Sequence, residues 1–201
     1  MLAISKGNNA VVLYLVIISV CGLLDAWIVS LAFQTSFFWT LLWTAVAIVI
    51  IILVDGLVAT VCRLLPKRFA DSSDTFYQVT QKEKKFYEKL KIRKWKDKIP
   101  EIGHFTGFRK NKIADPQSVE YIERFLLEAC YGELGHLWIM PIGFVILALF
   151  FISETWIALA IPVAIINAIL NLLPVFVLRY NRYKLEILRK NLLKKQARQS
   201  A

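Results

Sequence analysis

Histidine and cysteine are scarce in this chain, with two and three copies among 201 residues. The cysteines, Cys21, Cys62 and Cys130, fall inside apolar runs or beside basic segments on the face of a membrane where thiols stay reduced, so no disulfide framework is implied. His136 stands three residues after Glu133, the spacing of half a carboxylate-bridged metal site in a helical bundle. Such a site also needs further carboxylates from other helices, and neither a metal nor another cofactor is expected. Basic charge is missing from the two short links between apolar runs, Gln34-Thr35-Ser36 and Ser153-Glu154-Thr155. Internal repeats and low-complexity tracts are absent, and the one polar insert is too short for a Rossmann or phosphate-loop domain.

What the chain does have is hydrophobic length. Apolar residues make up 57% of it, at a mean hydropathy of +0.54, which belongs to a membrane protein rather than a soluble domain. Residues 10–33, 37–61, 135–152 and 156–178 read as four transmembrane helices; the third is short alone and gains length if the helix tilts. The first exceeds the ~7–15-residue apolar core of a cleavable signal, and is read as a retained span. Sixteen Lys and Arg lie between Cys62 and Gly135 and eight after Leu178, so the positive-inside rule puts the insert 62–134, the basic tail 179–201 and both termini in the cytoplasm. The expected fold is all-α: a single integral membrane domain over residues 1–201, four transmembrane helices in two hairpins with cytoplasmic interfacial helices, in the cell membrane.

Within the insert, residues 71–80 read as a surface loop. From Gln81 to Lys98, Phe86, Leu90 and Trp95 recur among nine Lys and Arg, the pattern of a helix lying in the headgroup layer. Two readings stand side by side: adhesion to anionic lipid, or Arg93, Lys94, Lys96 and Lys98 holding the phosphates of a substrate. Nucleic acid is not an expected partner, because the positive charge sits where membrane topology calls for it. Residues 100–114 read as a membrane-facing loop, with His104 as a hydrogen-bonding loop residue; Arg109 follows it at the position where soluble-domain glycerolipid acyltransferases carry the Asp of His-x-x-x-x-Asp. Asp115-Pro116 then reads as a helix start that runs through Tyr121, Phe125, Glu128 and Gly132 into the third span.

Glu133 and His136 share a helix face, and a carboxylate beside an imidazole can orient it as a general base for a hydroxyl. Glu128 lies five residues before Glu133. The fourth span brings Asn171 and then Arg179-Tyr180-Asn181-Arg182 to the same expected depth. The plainer reading is a polar pair at a span's end and a basic stop signal with an aromatic belt, which accounts for Arg179, Tyr180 and Arg182 but not for Asn171 or Asn181. Asp25 and Asp55 inside the first two spans are costly there and default to functional or helix-pairing roles.

Three separated motifs, Arg93-Lys94-Trp95-Lys96 with Lys98, Glu128 with Glu133 and His136, and Asn171 before Arg179-Tyr180-Asn181-Arg182, give a sequence that resembles the glycosyl-diaponeurosporenoate acyltransferase family. These are membrane enzymes that esterify a fatty acyl chain onto a sugar hydroxyl of a carotenoid glycoside. The resemblance covers most of the chain from the second span onward; 105–110 depart from it. It implies a membrane-bound O-acyltransferase in which His136, held by Glu133 with Glu128 nearby, activates a hydroxyl of a glycolipid or glycosylated isoprenoid. The acyl donor would be acyl-CoA or acyl carrier protein, bound through Arg93, Lys94, Trp95, Lys96 and Lys98. Asn171, Arg179, Tyr180, Asn181 and Arg182 would hold the acceptor or the oxyanion. Membrane lipids are the other expected partner, and oligomeric state is left open. The rival from another class is a non-enzymatic anchor or lipid-binding partner of an envelope complex; methyl transfer to a lipid is a third reading.

Overall fold

The computed structural model describes residues 6–99 and 115–199, and all the regular elements among them are helical. Helix α1 covers Lys6–Phe33 and α2 Phe37–Leu64; two short 3-10 turns, Lys67–Ala70 and Thr75–Tyr77, precede α3 (Gln81–Lys89) and α4 (Ile92–Trp95), which a 3-10 turn at Lys96–Lys98 closes. Helix α5 is Val119–Ile142, prolonged as 3-10 helix over Gly143–Leu149, and α6 is Trp156–Gln199. Four helices are long and apolar enough to cross a membrane: Val11–Phe33, Phe37–Leu64, Val119–Leu149 and Trp156–Gln199. The expected loop at 100–114, with His104, lies outside the described residues. The chain divides into two compact units, Met1–Val61 with His136–Leu172, and Cys62–Gly135 with Leu173–Ala201.

In the first unit α1 ends on Gln34, whose φ of 54° is left-handed, while the Thr35 amide donates to the Ser30 carbonyl at 3.0 Å. That is the helix-ending arrangement usually given to glycine, and it turns the chain within three residues. Thr40 and Thr44 are buried and return their hydroxyls to the Ser36 and Thr40 carbonyls at 2.9 and 3.0 Å, as a polar side chain in an apolar span must. Gly22 lets α1 approach α2, because a Cβ there would lie 3.0 Å from Ile48 Cδ1. The core gathers Ala47, Ile51, Ile146, Ala160, Val163 and Ala164 around a fully buried Trp156, whose indole N–H donates to the Ile146 carbonyl at 2.8 Å. Pro141 interrupts α5, and the 3-10 segment that follows rises ~2.0 Å per residue against ~1.5 Å for α-helix. The helix that carries the third apolar run extends from Val119 to Leu149 and is drawn out at its far end.

The second unit corrects three boundaries. The α5 helix does not begin at Asp115-Pro116: Ser118 caps it, accepting the Tyr121 amide at 3.1 Å, while Asp115 turns back on the Gln117 amide at 3.1 Å. The Asp115 carboxylate is thus spent on the turn before the helix. Secondly, 81–98 is not one helix. Lys91 adopts φ 54°, and the break carries Ile92 onto the side already taken by Tyr87, so that both are buried with Val177 and Tyr180. In a continuous helix those two positions would point ~140° apart. Phe86 and Leu90, the anchors expected from sequence, are exposed. Finally, α6 does not stop at 178. It continues through Pro174 for 44 residues, and Leu185 and Leu192 are buried against Ile122, Phe125 and Leu126 rather than belonging to a separate interfacial helix. Truncating Leu185 to alanine is expected to cost about 2–5 kcal/mol, read by thermal unfolding in detergent; a side chain resting on lipid headgroups would cost little.

Candidate functional site

Among the described residues a polar cluster lies in each unit. In the second, Glu133 of α5 is fully buried and faces two arginines one turn apart on α6. Arg179 Nη1 donates to Glu133 Oε1 at 2.6 Å, and Arg182, only 1% exposed, pairs with the other carboxylate oxygen. Arg179 also clamps Glu83 of α3 through Nε and through Nη2 at 3.0 Å, and reaches the carbonyls of Phe76 and Gln78 at 3.2 and 3.4 Å. Those bonds occupy all five N–H donors of a guanidinium. Arg182 lies over the Tyr77 ring, 5.1 Å from its centroid, and 3.8 Å from Cys130 Sγ. Two carboxylates against two guanidinium groups leave no net charge in the cluster, which is what makes burial tolerable.

The groups around this cluster on the insert respond to it. Burial raises Glu83, but hydrogen bonds from Arg179 and Tyr87, with the Arg179 charge, outweigh that and hold its carboxyl below the ordinary value. Burial pushes the Tyr77 phenol up to about 12, and burial with the Glu83 contact raises Tyr87 further. Elsewhere in the unit Glu128 is paired with Arg63 at 3.1 Å. Arg93, Lys94 and Lys98 are exposed, Lys96 stands 4.0 Å from Asp97, and the Trp95 indole is used on the Leu90 carbonyl at 3.0 Å. Tyr180 is buried and accepts from Lys184 at 3.0 Å, and Asn181 is half-buried.

The first unit holds the other cluster, around His136. Asn171 Nδ2 is surrounded by acceptors: Asp55 Oδ2 at 3.4 Å, and the Asn167 carbonyl and Oδ1, both at 3.0 Å. A backbone carbonyl can only accept, so the Asn171 amide has its nitrogen on that side and its oxygen on the other. That oxygen is 2.8 Å from His136 Nδ1, which must therefore be the protonated ring nitrogen. In the neutral ring Nε2 is then the basic nitrogen. Asn167 Nδ2 completes the arrangement by donating to Asp55 Oδ1 at 3.0 Å. Gly143 keeps this geometry open, since a Cβ there would sit 3.0 Å from Asn167 Nδ2.

Of the residues singled out from sequence, Glu133, Arg179 and Arg182 thus come together, and His136 meets Asn171. The role of orienting His136, assigned from sequence to Glu133, is taken at Nδ1 by Asn171, while both Glu133 oxygens face arginine. Asp55 and Asn167 were missing from the expected site. Their signal was present in a carboxylate inside a span and in the four-residue spacing of Asn167 and Asn171, which puts both amides on one helix face.

Two outcomes follow. Glu133→Ala would leave Arg182 buried without its counter-charge and cost about 3–5 kcal/mol, seen as a lower unfolding temperature. Because Glu83 is depressed, its contribution is complete above the ordinary value of 4.5 and is lost as pH falls through the lowered one. Acid titration of stability should show Glu83→Gln lacking that loss.

No curated protein and no solved structure matches the chain. A family profile does: that of glycosyl-4,4'-diaponeurosporenoate acyltransferase, over residues 73–191. The matched stretch contains His136, Asn167, Asn171 and the whole Glu83–Glu133–Arg179–Arg182 cluster, but not Asp25 or Asp55. Since it spans more than half of the sequence, the chain belongs to the glycosyl-4,4'-diaponeurosporenoate acyltransferase family, and is a multi-pass membrane acyltransferase of carotenoid biosynthesis.

Proposed function

We propose that this enzyme moves a fatty acyl chain from an activated thioester to a hydroxyl of a glycolipid or glycosylated isoprenoid at the cytoplasmic leaflet, with His136 as general base. The observation that carries this reading is the Asn171 bond to Nδ1, which makes Nε2 the basic nitrogen of the neutral ring. Nε2 takes the acceptor's hydroxyl proton as its oxygen attacks the thioester carbonyl. A C–O bond forms, the C–S bond breaks, and the proton passes from the imidazolium to the departing thiolate. Nothing in this step calls for a metal or a resident cofactor. Asp55 and Asn167 act through Asn171, keeping the imidazole in one tautomer and orientation, the same work that a buried carboxylate does for a catalytic histidine elsewhere.

With all its N–H donors engaged, Arg179 serves in this reading to hold α3, α5 and α6 together rather than to meet an oxyanion. The exposed Arg93, Lys94 and Lys98, with Lys96, remain the groups suited to the phosphates of acyl-CoA or of an acyl carrier protein, with Trp95 beside them. The basic residues of the insert and tail favour a cytoplasmic location for both, and for the termini, in the cell membrane. Membership of an enzyme family takes the place of the anchor reading.

Lipid profiling by mass spectrometry of cells with and without the protein tests the proposal. The wild-type chain should yield a lipid heavier by one acyl group. His136→Ala should lower its formation by about 10²–10⁴-fold, the usual worth of a positioned general base. Asn171→Ala should lose part of that. Undiminished product from correctly inserted His136→Ala protein would defeat the mechanism.

A further inference from the structure

In the first unit a cleft of about 50 Å³ opens among α1, α2 and α6. Its lining is apolar except at two places, Asp25 on α1 and Asn167 on α6, with Ile18, Gly22, Ile48 and Ile52 among the apolar residues. Asn167 belongs to the cleft and to the His136 cluster at once, since its amide bonds Asp55 and Asn171. The cleft therefore borders the network that holds the base.

Its direction follows from helix positions. Gly22 of α1 stands against Ile48 and Thr44 of α2, across the three-residue turn, so positions count in opposite senses on the two helices. Ile18 is then level with Ile52, one turn short of Asp55, whereas Asp25 is level with Ala45 at the far end. From the level of Asp55 to that of Asp25 is ten residues, ~15 Å of helix. Asp25 is 7% exposed, lines the cleft, and its Oδ2 has no hydrogen-bond partner among the described residues.

We propose that this cleft receives the distal part of the acyl chain being transferred, and that Asp25 sets how long that chain can be. The inference rests on His136 being the reaction centre. Hydrocarbon gains little by leaving lipid for protein, because lipid tails are as apolar as leucine. What favours the substrate chain over a lipid tail is tethering: its head is held at the reaction centre, so its tail is at high effective concentration beside the cleft. A chain long enough to cover Asp25 would press methylenes onto a carboxyl group with one oxygen already unpartnered, and close the little exposure that the residue keeps. Shorter chains avoid that penalty.

The test is the acyl-chain profile of the product lipid in cells carrying the full-length chain and its variants, with membrane level and unfolding temperature measured alongside. Ile52→Phe, at a half-exposed lining position that can take a larger side chain, should shift the product towards shorter chains. Asp25→Leu should shift it towards longer ones, and Asp25→Val serves if the leucine variant does not accumulate. Profiles that stay as in the wild type, or move the opposite way, in either folded variant would overturn the proposal. Absence of any acylated product from the wild-type chain would instead sink the reading of His136 on which it rests.

Discussion

A polar side chain carried into hydrocarbon has to find its partner inside the protein, and that requirement organises both units of this chain. In the second, Glu133 is wholly buried and can be so because two guanidinium groups from one face of α6 neutralise it, with Glu83 restoring the balance on Arg179. The second unit's contacts with α3 follow from the same need. Helix α3 is short and highly basic, and it is tied to α6 by the Glu83 pair, by the Gln81 amide donating to the Tyr183 hydroxyl at 2.8 Å, and by Tyr87 packing with Val177 and Tyr180.

The same constraint produces a different result in the first unit. Asp55 has two amides, not two arginines, as its partners, and those amides are themselves placed by their four-residue spacing on α6. An amide is a two-sided group: satisfying the carboxylate with its nitrogen obliges its oxygen to look for a donor, and His136 supplies one. A buried polar satisfaction problem is thereby turned into a defined imidazole tautomer. Glu133 and His136, three residues apart on α5, consequently belong to separate networks, one a neutral clamp and the other the Asn171, Asn167 and Asp55 set.

This division is why a motif-level reading of Glu133-x-x-His136 falls short. Spacing says which side chains share a helix face, and both residues do fall where helical spacing puts them. It does not say which neighbour from another helix arrives first. Arginine is a stronger partner for a carboxylate than a neutral imidazole is, and Asn171 reaches the imidazole with an acceptor that needs no counter-charge. The failures at element ends have a similar origin. Asp115 satisfied every local rule for a cap and lost the position to Ser118, and Leu185 and Leu192, within the stretch read as a basic tail, are covered by Ile122 and Phe125.

The number of apolar helices, the helical class and the family were legible in the sequence, because each depends on local quantities: apolar length and motifs in order. That His136, Asn171, Arg179 and Arg182 would need partners was legible too, since polar groups in or beside apolar runs are expensive to leave unpaired. Only the tertiary structure decided the pairings, brought Asp55 and Asn167 into the site, and opened a cleft beside them. Those outcomes depend on which faces of α1, α2, α5 and α6 meet, and that is a matter of packing over separations of up to 116 residues, beyond the reach of any local pattern.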